Sequence, residues 1–66
     1  MEWLKDFRKK SGFSRKEMAE KLGISQSLYD KVEFNARLPS QNFMNRFKNT
    51  FPTFDMNIFF EKTQHE

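Results

Sequence analysis

Four side chains between residues 26 and 31 could do recognition chemistry: Gln26, Ser27, Asp30 and Lys31. An amide, a hydroxyl, a carboxylate and an ammonium together present donors and acceptors that suit base edges and phosphates. They share a surface only if a helix carries them and buries its other side. Tyr29 and Val32 supply that other side, with Leu28 on the flank and Phe34 facing outward with the polar set. Catalysis has much less to work with. The only His, His65, lies one residue from the C-terminus, where a frayed tail cannot hold a general base against a substrate. No His, Cys or carboxylate cluster has metal-ligand spacing, and both glycines are isolated, so no phosphate-cradling loop exists. Ser14, Ser25 and Ser40 fall where helices should begin, and capping explains them. The expectation is no enzyme, no catalytic residue, no metal and no cofactor.

The elements that must position these residues follow from regular punctuation at Gly12, Gly23, Asn35, Pro39 and Pro52. A first helix is predicted over about 2–10, with Trp3, Leu4 and Phe7 on one face. A second covers 15–22, opened by a capping box of Ser14 and Glu17, with Met18, Ala19 and Leu22 inward and Gly23 closing it. The third covers 26–34 with Ser25 as N-cap and Asn35 at its end. The fourth covers 41–50 after Pro39-Ser40, with Phe43, Met44, Phe47 and Phe51 forming a broad apolar stripe. "FPTFD" breaks the chain, and a short fifth helix over 55–60, capped by Asp55 or Thr53, carries Met56, Ile58, Phe59 and Phe60. Strand signals are weak, because the abundant Phe sits at helical spacing. The fold class expected is all-α: five short helices in one compact domain over 1–62, with a frayed tail at 63–66.

The chain has 66 residues and no Cys. A domain this small buries only about 60% of the surface its unfolded chain exposes, so stability is marginal and must come from apolar packing. The nine Phe supply most of that mass, each with only two torsions to freeze. No run of roughly 18 apolar residues spans a membrane, and no apolar signal segment follows Met1. Residues 1–50 hold eleven Lys/Arg against six Asp/Glu, a net +5, while residues 51–66 hold Lys62 against Asp55, Glu61 and Glu66, a net −2. A basic body with a mildly acidic tail is compatible with a polyanion partner, or with a surface of solvated mixed charge. The absence of Cys suits a reducing, cytoplasmic setting.

The turn between the second and third helices is the most informative feature. Ala19 is small enough to let those helices approach, Gly23 makes the turn, Ile24 plugs the angle, and Tyr29 and Val32 seat the third helix. Over residues 4–40, "LKDFRKKSGFSRKEMAEKLGISQSLYDKVEFNARLPS", the chain resembles the lambda-repressor-like helix-turn-helix family, the Cro/repressor type common in bacteria and their phages. The resemblance rests on Arg8, Gly12, Ser14, Ala19, Leu22-Gly23-Ile24-Ser25, Glu33 and Pro39-Ser40 occurring in register. The remaining helices fit the family's closing helices.

That resemblance implies a recognition helix at Gln26–Phe34 lying in the major groove of double-stranded DNA. Gln26, Ser27 and Lys31 match base-facing positions. Gln suits adenine, and Lys31 suits a guanine or a phosphate. Asp30 either accepts from cytosine or only spaces Lys31. Ser14 and Arg15 match a phosphate clamp at a helix N-terminus, Asn35 and Arg37 match a second backbone contact, and Lys16 and Lys10 are candidates to add to either. Arg8 and Glu33 match a pair bridging the first and third helices, and Arg8 has an amine it could also offer to phosphate. The chain departs from the family pattern at Tyr29, Leu28 and Phe34, and in a polar fourth helix at Gln41, Asn45 and Lys48. Leu28 and Phe34 either touch thymine methyls or mark a surface that meets protein.

Two functions of different kinds are expected from this. The first is a sequence-specific DNA-binding transcriptional regulator, acting as a dimer on a two-fold site. The second is a protein-interaction module on the same fold, antitoxin- or antirepressor-like, with DNA binding secondary or absent. Both use the Phe-rich C-terminal end. Phe43, Phe54, Phe59 and Phe60 look too many for one small core and are expected to form a dimer or partner surface. Met1 and the short polar tail lead us to expect a complete small protein.

Overall fold

The computed structural model describes residues 1–63. The tail 64–66, with His65, lies outside the described residues. Five helices follow one another: α1 (Glu2–Lys10), α2 (Arg15–Leu22), α3 (Gln26–Glu33), α4 (Gln41–Thr50) and α5 (Asn57–Thr63). α2 packs chiefly on α3 and also on α4, and α1 packs on α3.

Each of the three predicted serine caps is in place. Ser14 Oγ accepts from the Glu17 amide at 3.0 Å while Glu17 Oε1 accepts from the Ser14 amide at 2.8 Å, closing the capping box. Ser25 and Ser40 accept from the amides of Leu28 and Phe43, each at 3.1 Å. The helix ends share one device. Gly12, Gly23 and Asn35 all have positive φ, and after each the next residue's amide bonds back five residues: Phe13 to Arg8, Ile24 to Ala19, Ala36 to Lys31. A side chain costs strain there, which Asn tolerates best among residues other than Gly.

Two boundaries differ from expectation. α3 stops at Glu33, with Phe34 as its C-cap. α5 begins at Asn57 rather than at 55, because Asp55 Oδ1 accepts from the Asn57 amide at 3.0 Å and so lies outside the helix it caps. Thr63, expected in the tail, is still helical.

The core is aromatic. Leu4, Met18, Leu22, Tyr29, Val32, Phe43, Phe47 and Phe59 are buried. Phe47 sits at the centre, with the rings of Trp3, Phe7, Phe43, Phe51, Phe54 and Phe59 at centroid distances of 4.9 to 6.5 Å, several of them edge-on. This overturns the expected C-terminal aromatic surface. Phe43 and Phe59 are 1% and 2% exposed, and Phe54 stacks on Trp3 at 5.5 Å, half-buried. The reason is α5, which lays Phe59 edge-on against Trp3 of α1 and Phe47 of α4, at 4.8 and 5.2 Å. Edge-to-face packing lets one small core absorb more rings than their number suggests. Of the four, only Phe60 stands out, at 52% exposure.

Candidate nucleic-acid interface

The helix-turn-helix unit is held from three sides. From α1, Arg8 Nε and Nη2 donate to the two carboxylate oxygens of Glu33 at 2.9 and 3.1 Å, and Nη1 donates to the Phe13 carbonyl at 2.9 Å. Arg8 is buried with each of its three nitrogens engaged inside the protein, which weighs against the expected offer of an amine to phosphate. Its guanidinium is held above the ordinary value, first by its hydrogen bonds to Glu33. The buried Tyr29 hydroxyl lies by this pair without a well-formed hydrogen bond. Burial, and then Glu33, pushes the phenol far above its ordinary value.

From α4, Arg46 Nη1 donates to the Leu22 carbonyl at 3.3 Å and Thr50 Oγ1 to the Lys21 carbonyl at 3.3 Å. These cover the carbonyl end of α2, where a cation is favoured. From the N-terminus, the Met1 amine donates to the Glu33 carbonyl and to Asn35 Oδ1, closing the end of α3.

What this frame presents outward is the polar set. Gln26, Ser27 and Lys31 are exposed, and their side chains make no hydrogen bond or ion pair with the described residues. Ser27 and Lys31 lie on the side of α3 away from Tyr29 and Val32, which are buried, and Gln26 stands at its N-terminal end. Beside them is the N-terminus of α2. The amides of Arg15 and Lys16 have no acceptor earlier in the helix, and the Ser14 hydroxyl accepts within the cap but keeps its proton to donate. Lys16 and Lys10 are exposed. Arg37 is exposed after α3, and Asn35 is exposed with its side-chain oxygen turned to Met1, which leaves only its NH2 group to donate outward.

Asp30 makes a contact that the sequence did not show. Its Oδ2 faces Arg15 Nη1 at 3.3 Å, and its Oδ1 is shut away from solvent without a hydrogen-bond partner. Arg15 also lies over the Phe34 ring, 5.1 Å from its centroid. Sequence reasoning missed this Arg15–Asp30–Phe34 cluster, the Arg46 cap, and Lys21 over the Phe13 ring at 4.6 Å. Each joins residues of different elements, beyond the reach of helical periodicity. Only the spacing of Asp30 and Phe34, four apart, was a readable hint that they share a face.

A family model described as helix-turn-helix matches residues 4–47, well over half of the chain. The chain belongs to the helix-turn-helix family. Within it the chain is lambda-repressor-like, which supports a DNA-binding regulator. No curated protein and no solved structure matches it. Among the described residues, no helix is long and apolar enough to cross a membrane, and no group of three or more His, Cys, Asp or Glu could hold a metal ion.

Proposed function

We propose that the protein is a sequence-specific transcriptional regulator of the Cro/repressor type that lays α3 in the major groove and works as a homodimer. The observation that carries this is the unengaged outer row of α3, Gln26, Ser27 and Lys31, set beside the open N-terminus of α2. Gln26 and Ser27 lie at the N-terminal end of α3, the end that meets base edges in this docking geometry. Ser14, Arg15 and Lys16 take one phosphate run, and Asn35 and Arg37 the other. A cytoplasmic location goes with this function.

Size supports pairing. An eight-residue helix is about 12 Å long and covers only about three or four base pairs. The longest extent of the molecule is 30 Å, short of the roughly 34–36 Å between half-sites one helical turn apart. Two copies on a two-fold site extend the recognised sequence. The half-exposed Phe60 of α5 supplies apolar surface for that contact. The same surface would serve the second reading, a protein-interaction module whose DNA contact is secondary.

Titrating binding to arbitrary duplexes and to the DNA upstream of its own gene against salt tests the reading. Affinity should fall with a log–log slope near −0.9 per phosphate neutralised. Lys31→Ala should relax sequence preference, whereas Arg15→Ala should weaken all sequences alike. No affinity at low salt would hand the case to the protein-partner reading.

A further inference from the structure

We propose that Asp30 and Phe34 are positioning residues for Arg15, holding its guanidinium ready for a DNA phosphate, and are not themselves readers of DNA sequence. This rests on the reading of Arg15 as a phosphate contact. Asp30 and Phe34 are four apart at the C-terminal end of α3 and share a face. Arg15, the first residue of α2, lies across that face, with Nη1 3.3 Å from Asp30 Oδ2 and its guanidinium carbon 5.1 Å from the Phe34 centroid. The Arg15 side chain is 40% exposed, so a ligand can reach it.

The chemistry of a guanidinium makes this a holder and not a cover. Its donors lie in its plane, so a ring against one face fixes the group while leaving edge N–H groups free for a phosphate oxygen. The Asp30 contact is an ion pair to one terminal nitrogen and takes up at most one of the five donors. Asp30 sets the direction of the group but also offsets its charge, so it trades some affinity for position.

The arrangement decides two matters the sequence leaves open. Phe34 is 58% exposed because its partner is a cation that must stay accessible, with no thymine methyl or partner protein required. Asp30 has one oxygen on Arg15 and the other shut from solvent, which removes it from base reading.

The test measures binding of a labelled duplex of arbitrary sequence as a function of salt, together with the base preferences selected from a pool of randomised duplexes. Phe34→Ala should weaken binding by about two- to fivefold on every sequence, and Phe34→Tyr should restore it. In an Arg15→Ala background, Phe34→Ala should cost nothing more. Asp30→Asn should strengthen binding on all sequences alike and steepen the salt slope by up to about 0.9, because one cation is freed. Circular dichroism showing unchanged helix content keeps these effects separate from misfolding.

Three results would overturn the proposal alone, in a wild-type protein that binds DNA. One is a Phe34→Ala loss that persists without Arg15. Another is an Asp30→Asn variant that selects different bases. The third is unchanged affinity in both single variants. A wild-type chain with no affinity for any duplex at low salt would overturn the DNA reading and this inference with it.

Discussion

At the scale of single residues, the costliest contact to disturb is the Arg8–Glu33 pair. Both side chains are buried, and each satisfies the other through two hydrogen bonds. Arg8→Met or Glu33→Gln alone should cost about 3–5 kcal/mol, because each strands a buried charge. The double variant should cost less than the sum, and a cycle of urea midpoints showing simple additivity would refute that. The same pair makes stability depend on pH. Burial raises the Glu33 carboxyl, but Arg8 and the nearby Tyr29 hydroxyl outweigh it, so the folded carboxyl titrates below its ordinary value of 4.5. On acidification the unfolded chain then takes up the proton first. The stabilisation is complete above about pH 4.5 and is lost as pH falls through the lower folded value. Stability measured between pH 6 and pH 3 should therefore fall more steeply in the wild type than in Glu33→Gln, and parallel curves would count against it.

At the scale of elements, the helix-turn-helix angle is fixed by Gly23 and by what covers it. Gly23 has φ of 72°, and a Cβ there would come within 2.7 Å of Arg46 Nη1, the group that caps the Leu22 carbonyl. Gly12 has φ of 83°, but open space around its Cβ position. Gly12→Ala should cost about 1–2 kcal/mol of backbone strain. Gly23→Ala should cost more, since Arg46 must also give up its cap, and thermal melting of the two variants compares them directly. Equal losses would mean the Arg46 cap contributes nothing. These turns were legible in the sequence because they are local: a serine cap, a glutamate three residues on and a positive-φ glycine all act within one helical turn. The outward row of Gln26, Ser27 and Lys31 was legible for the same reason, through the period that buries Tyr29 and Val32. The fates of Phe43 and Phe59 were not, because burial there depends on α5 returning across α1 and α4. The Arg15 contact of Asp30 was hidden for a related reason: Arg15 lies on another helix and leaves no periodic trace in α3.

At the scale of the whole molecule, Phe47 and Phe60 separate what holds the chain together from what it meets. Phe47 is fully buried and touches six other rings. Phe47→Ala removes about 3–5 kcal/mol, against a total on the order of 3–10 kcal/mol for a chain this short, so much of the population should unfold. Phe60 is half-exposed, and Phe60→Ala should change stability by no more than about 0.5 kcal/mol. Its effect belongs to assembly. If copies pair through this face, Phe60→Ala shifts sedimentation toward the monomer at a given concentration while the melting curve of dilute protein stays in place. On DNA it should lower affinity for a two-fold site far more than for a single half-site, because the second copy's contribution is lost while α3 and its phosphate contacts remain intact. A Phe60→Ala protein that sediments and binds both sites like the wild type would move the pairing surface away from α5.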